Sequence, residues 1–144
     1  MKKIAISCDH AGYELKAFLS KYLSEQGYKI DDFGTYSDES VDYPDFAHPM
    51  AKAITDGEDD IGISICGSGN GISMVANKYP KIRAALCWNE EISKLARAHN
   101  NANVCSLPGR FVTFDEAKKI VNAFLSTEFE GGRHERRVEK IPIY

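Results

Sequence analysis

Five short apolar stretches, at residues 3–8, 28–33, 61–66, 83–88 and 103–107, alternate along the chain with segments of helical periodicity. Each stretch is brief and rich in Ile, Val and Ala, as strands buried on both faces are. Between them Leu15, Phe18, Leu19, Tyr22 and Leu23 fall at i, i+3, i+4, i+7 and i+8 and stop at Gly27. The same spacing returns at Ala117, Ile120, Val121, Phe124 and Leu125 behind a Thr113-x-x-Glu116 capping box, and at Ile92, Leu95 and Ala96 behind Asn89 as N-cap. Shorter helices are expected around 44–56 and 71–79. Strands alternating with helices form β-α-β units with right-handed crossovers. The expectation is a three-layer α/β sandwich built on a five-stranded, parallel, doubly wound sheet.

A chain of 144 residues is the length of one domain, here 1–144, with a C-terminal helical segment at 131–144. Lys and Arg number 18 against 21 Asp and Glu, so the chain lacks the positive field that drives non-specific nucleic-acid binding. No apolar run approaches the ~20 residues that span a bilayer, and Ile4-Ala5-Ile6-Ser7-Cys8 is too short for a signal-peptide core. A cytoplasmic protein is expected, with neither membrane nor nucleic acid as partner. The four cysteines (Cys8, Cys66, Cys87, Cys105) are widely spaced, which fits neither a zinc ribbon nor a C-x-x-C redox pair.

In doubly wound sheets ligands collect at the carboxyl ends of strands, where the strand order reverses. The third stretch runs there into Cys66-Gly67-Ser68-Gly69-Asn70-Gly71 and a helix near Ile72. Glycines at 67, 69 and 71 let backbone N–H groups turn inward, and the helix behind them adds partial positive charge, so the loop is suited to an anion. Those donors make Cys66, unlike Cys87, the candidate reactive cysteine. The loop lacks the G-K-[ST] ending of a nucleotide P-loop and the spacing of G-x-G-x-x-G. A C-x5-R phosphatase would need Arg where Ile72 stands.

Asp9 and His10 follow the first stretch and would lie beside Cys66 if strands 1 and 3 are neighbours; the plainer alternative makes Asp9 an N-cap and His10 a surface residue. His99 continues the stripe of Ile92 and Leu95 and could simply be packed, yet polar Asn100 and Asn101 follow it at once. Arg133 and Arg137 stand at i and i+4 of a short helix, spaced as a forked anion clamp, while four nearby acids make a solvated helix the alternative.

Together Cys8-Asp9-His10-Ala11-Gly12, Asp42-Tyr43-Pro44, Cys66 through Gly71, Ala76-Asn77-Lys78, His99-Asn100-Asn101-Ala102-Asn103 and Gly131 through Arg137 resemble the type B ribose-5-phosphate isomerases over nearly the whole chain. That family extends to galactose-6-phosphate and allose-6-phosphate isomerases. The resemblance implies a sheet order of 2-1-3-5-4 and interconversion of ribose 5-phosphate and ribulose 5-phosphate, in pentose phosphate metabolism, without metal or organic cofactor. It also implies a homodimer able to pair into a tetramer. Carried over by position, Cys66 is the base and Gly67, Ser68, Gly69, Asn70 and Gly71 hold the enediolate. His99 opens the sugar ring with help from Asp9. His10, Arg110, Arg133 and Arg137 hold the phosphate, and Tyr43 and Asn100 contact the sugar. Ser68 stands where some members carry Thr, and Ile72 where another branch carries a catalytic Glu, so the resemblance is to the cysteine branch.

Enolisation beside a carbonyl needs one base and an anion site for the oxyanion, which Cys66 and its loop provide. The alternatives are a hexose-6-phosphate isomerase of the same family and a non-catalytic flavodoxin-like module that binds a phosphorylated ligand. One expectation follows from the strand and helix reading alone. Cys66 ends strand 3, whereas the helix before His99 runs back to the strands' amino ends. A five-residue strand spans ~17 Å, so each active site would join Cys66 of one subunit to His99 of another.

Overall fold

The computed structural model describes residues 2–143. Its strands are β1 (Lys3–Cys8), β2 (Lys29–Asp32), β3 (Ile61–Cys66), β4 (Ala84–Leu86) and β5 (Val104–Pro108). The helices are α1 (Tyr13–Glu25), α2 (Pro44–Thr55), α3 (Asn70–Ala76), α4 (Glu90–Ala98), α5 (Phe114–Ser126) and α6 (Arg133–Glu139), with a 3-10 turn at His10–Gly12. The sheet is parallel throughout, in the order β2-β1-β3-β5-β4. The doubly wound sandwich and its strand order are therefore as expected from the sequence.

Side-chain parity divides the sheet into two faces. Ile4, Ile6 and Cys8, with Ile61, Ile63 and Ile65, pack against Leu15, Leu19 and Leu23 of α1, Ala96 of α4 and Ile120, Val121 and Phe124 of α5. On the other face Ala5 and Val104 meet Met50, Ala51 and Ile54 of α2 and Ala76 of α3. That face is lined by small residues because α2 lies close: a Cβ on Gly62 would stand 2.6 Å from Ile54 Cδ1. Ser64 and Ser106, fully buried there, satisfy each other with a 2.8 Å hydroxyl bond, which removes the penalty of burying either alone. Cys66 belongs to the same face and packs with Ala47 and Ile72.

The sequence cues for helix ends hold. Thr113 Oγ1 accepts the Glu116 N–H and the Glu116 carboxylate accepts the Thr113 N–H, completing the capping box, while Asn89 Oδ1 accepts the Ile92 N–H. Each cap contributes about 1 kcal/mol. Three expectations need correction. Strand β4 covers only Ala84–Leu86, so Cys87 lies just past the strand and not within it; at the other end of this edge strand the side chain of Asn77 takes both the N–H and the C=O of Ala84. The helix expected at 71–79 spans only Asn70–Ala76. In α4 the buried face is Ser93, Ala96 and Arg97, with Ser93 Oγ donating to the Ile120 carbonyl, and Leu95 is exposed. The stripe running to His99 therefore faces outward, and His99 is not a core residue.

Candidate active site

The carboxyl ends of β1, β3 and β5 release three loops that meet. The Asp9 N–H donates to the Ile65 carbonyl at 3.1 Å, fastening the β1 loop to β3. Asp9 is buried and its carboxylate accepts the Ala11 N–H, so it does cap the 3-10 turn, at the same time as it stands at the site. Beside it His10 is half-buried, and its Nδ1 accepts the Val41 N–H at 3.2 Å. The neutral ring therefore carries its proton on Nε2, as a donor.

Cys66, 5% exposed, closes β3 and receives the Gly69 N–H on its sulfur at 3.2 Å. Gly69 sits at φ +78°, and a Cβ there would come within 3.1 Å of the Leu107 backbone, so the turn that aims this N–H requires glycine. Ser68 Oγ accepts the Asn70 N–H. Among the described residues, the N–H groups of Gly67, Ser68 and Gly71 meet no acceptor. Tyr43, at the start of α2, lays its ring on Gly71, where a Cβ would stand 2.5 Å from the ring. The Arg110 N–H donates to the Gly67 carbonyl and its guanidinium lies over Gly67, bringing a cation to the loop.

The other cysteines have no such setting. Burial pushes the Cys8 thiol up to about 12 and the Cys105 thiol well above its ordinary value. A hydrogen bond with Cys105 holds Cys87 lower, but its sulfur is sealed in the core.

His99, Asn100, Arg133 and Arg137 form a second cluster at the amino end of the sheet. His99 caps the C-terminus of α4 and stacks on His134 with ring centroids 4.2 Å apart. Glu130 Oε1 lies 3.8 Å from Nε2 of His99 and 3.6 Å from Nε2 of His134. Burial, then His99 and Arg133, hold His134 below the usual imidazole range. Arg133 and Arg137 lie exposed on α6, and Asn100 borders a groove of about 530 Å³ shared with Tyr79, Ala84 and Ile141. The donor atoms of His99, Glu130 and His134 fall within 4.8 Å of one another. A cation fits them poorly, because parallel stacked rings do not converge their lone pairs and two guanidiniums stand nearby.

Register fixes the distance between the clusters. Gly62 pairs with Val104 and Cys66 with Pro108, so four residue steps, about 13 Å, separate the two ends of this strand pair. Cys66, Asp9, His10, Tyr43 and Arg110 occupy one end, and His99, Asn100, Arg133 and Arg137 the other. His134 and Glu130 had no assigned role in the sequence; His134 stands inside the Arg133–Arg137 motif, which was the available signal.

Residues 4–141 match the profile of the Ribose/Galactose Isomerase family. The chain belongs to this family. Ribose-5-phosphate isomerase B of Escherichia coli K12 is 48% identical over 141 residues, 98% of this chain and 95% of that protein. Among solved structures, ribose 5-phosphate isomerase B of Thermotoga maritima is 52% identical with a TM-score of 0.96, covering 98% of this chain and 97% of that one. The Mycoplasma genitalium enzyme, solved with bound ribulose-5-phosphate, is 47% identical with a TM-score of 0.91, over 96% of this chain and 93% of that one.

Proposed function

We propose that this chain is a ribose-5-phosphate isomerase that works through an enediolate, with Cys66 as the base. The observation that carries the reading is the Gly69 N–H on the Cys66 sulfur at the mouth of a loop whose neighbouring N–H groups are free. It is supported by the 48%-identical isomerase B and by the relative that binds ribulose-5-phosphate.

Ribose 5-phosphate enters as a furanose. His99 protonates the ring oxygen as Asp9 of the other subunit draws the proton from the C1 hydroxyl, which frees the aldehyde. Cys66 thiolate takes the C2 proton, the oxyanion on C1 settles on the Gly67–Gly71 N–H groups, the O2 proton passes to O1, and the thiol returns its proton to C1. One such donor is worth ~3 kcal/mol, so several N–H groups can carry much of the catalysis without a Lewis acid. His10 and Arg110 from one chain, with Arg133 and Arg137 from the other, surround the phosphate; Tyr43 and Asn100 line the sugar.

This chemistry requires a second copy of the chain, since proton transfer reaches ~3 Å and the two clusters of one chain lie about 13 Å apart. Exposed Trp88, Leu95 and Phe111, on the β4 loop, α4 and the β5 loop, are apolar surfaces that a homodimer would cover. Four free, buried cysteines suit the reducing cytoplasm, and no helix among the described residues is long and apolar enough to cross a membrane.

The test is kcat/KM for ribose 5-phosphate, allose 6-phosphate and galactose 6-phosphate. Preference for ribose 5-phosphate is expected. Preference for a hexose phosphate would make this a hexose-6-phosphate isomerase, and binding without turnover of any sugar would make it a phosphate-ligand-binding module.

A further inference from the structure

One cation in α4 is not on the surface. Arg97 is 9% exposed, and its guanidinium donates through Nη1 to Asn101 Oδ1 at 2.9 Å and to the Ala102 carbonyl at 2.6 Å. Through Nε it reaches the Thr127 carbonyl at 3.3 Å, and it lies 5.9 Å from the Phe124 ring centroid. Asn101 is held from three directions. Its N–H donates to the Arg97 carbonyl, its own carbonyl accepts Arg83 Nε at 2.9 Å, and its side chain accepts from Arg97. It is also the one non-glycine residue with positive φ among the described residues, at +47°, a conformation that persists where surroundings fix it.

The placement gives this clasp a purpose. His99 and Asn100 are the two residues between the last turn of α4 and Asn101. Thr127 begins the connection from α5 to α6, and within that connection the Glu130 N–H donates to the Ala98 carbonyl. One buried guanidinium thus ties together the segment that carries His99 and the segment that carries Glu130 and leads to His134. A surface loop that carries a catalytic residue could be held by packing alone, but Arg97 faces a carbonyl and an amide oxygen of the first segment, a carbonyl of the second, and the Phe124 ring of α5.

We propose that Arg97 and Asn101 are positioning residues for ring opening, fixing the His99 imidazole where it meets the sugar's ring oxygen. The inference rests on the ring-opening role given to His99 above. It predicts a defect confined to the cyclic substrate. Ribulose 5-phosphate has no C5 hydroxyl with which to close a furanose ring, so its C1 proton can be exchanged by Cys66 without any help from His99. A residue that merely supported the fold would affect both reactions alike.

The experiment compares isomerisation of ribose 5-phosphate with exchange of the ribulose 5-phosphate C1 proton into D2O, followed by NMR. Variants are Arg97→Met, Arg97→Lys, Asn101→Gly and, as reference, His99→Ala. Glycine adopts φ +47° without strain, so Asn101→Gly keeps the fold while removing the amide oxygen through which Arg97 holds this residue, and decides the matter if Arg97→Met does not fold. For Arg97→Met and Asn101→Gly, kcat on ribose 5-phosphate should fall by about tenfold or more while exchange stays within about twofold of the parent, with partial recovery in Arg97→Lys. Parallel loss of both reactions, or no loss, in Asn101→Gly when His99→Ala splits them overturns the positioning role. Parallel loss in His99→Ala itself overturns the ring-opening reading beneath it.

Discussion

The Gly69 N–H donates to the Cys66 sulfur at 3.2 Å, and no other cysteine of the chain receives a backbone N–H at a strand end facing a loop of free donors. In the proposed mechanism this sulfur takes the C2 proton of the sugar. Cys66→Ala should abolish isomerisation while leaving the fold and calorimetric binding of ribose 5-phosphate in place, because the anion loop survives. Cys87→Ala should stay active. Near-normal turnover by Cys66→Ala would remove the cysteine from the mechanism.

Tyr43 and Gly71 are in contact so close that a single methyl decides between them. A Cβ on Gly71 would meet the ring at 2.5 Å, and the ring, 37% exposed, can swing outward. Gly71→Ala is therefore expected to lower kcat/KM by about tenfold or more with little change in melting temperature. A large loss of stability with normal activity in the surviving folded protein would contradict this.

The alternation of Ile-rich strands and amphipathic helices made the sheet legible, since buried β3 (Ile61–Cys66) and the α5 stripe admit few other arrangements. The Cys66 loop was legible for the same local reason: glycines at a strand end have little other use. What the sequence concealed depends on contacts distant in the chain. Arg97 reads as a surface cation, and only the fold shows Thr127 and Phe124 closing over it. Leu95 reads as core, but α4 turns Ser93 and Ala96 inward, with Ser93 bonded to the Ile120 carbonyl of α5. The pairing of His99 with His134 joins residues 35 apart, and no local pattern announces it.

Arg133 and Arg137 sit exposed on α6 with no carboxylate in salt-bridge range among the described residues, and a phosphate held between chains would neutralise them. Replacing either with Ala should weaken ribose 5-phosphate binding, by roughly 2 to 5 kcal/mol where the assembled dimer buries the contact. Unphosphorylated ribose should bind as before. Equal affinity of parent and Arg137→Ala for ribose 5-phosphate in calorimetry would show that the phosphate lies elsewhere.

Asp59 gives the fold a pH dependence far from the site. Burial first, then Asp31 beside it, raises its carboxyl from 3.8 to about 6, and among the described residues neither oxygen finds a donor. The native state therefore binds this proton more tightly than the unfolded chain, so the stability it contributes is present below about pH 4 and lost as pH rises through about 6. Asp59→Asn should raise the melting temperature at pH 7 and flatten the stability profile between pH 4 and 6. An unchanged slope in thermal melts across that range would exclude Asp59 as its source.

The central claim is that each site joins Cys66 of one subunit to His99 of another, and subunit mixing tests it most directly. Cys66→Ala and His99→Ala, each inactive on ribose 5-phosphate, are unfolded and refolded together. Random pairing makes about half the dimers mixed, and in each mixed dimer one site inherits both defects and the other none. About a quarter of the parent activity should return. No recovery, with mixed dimers confirmed by native mass spectrometry, would place both residues in a site built from one chain and contradict the account.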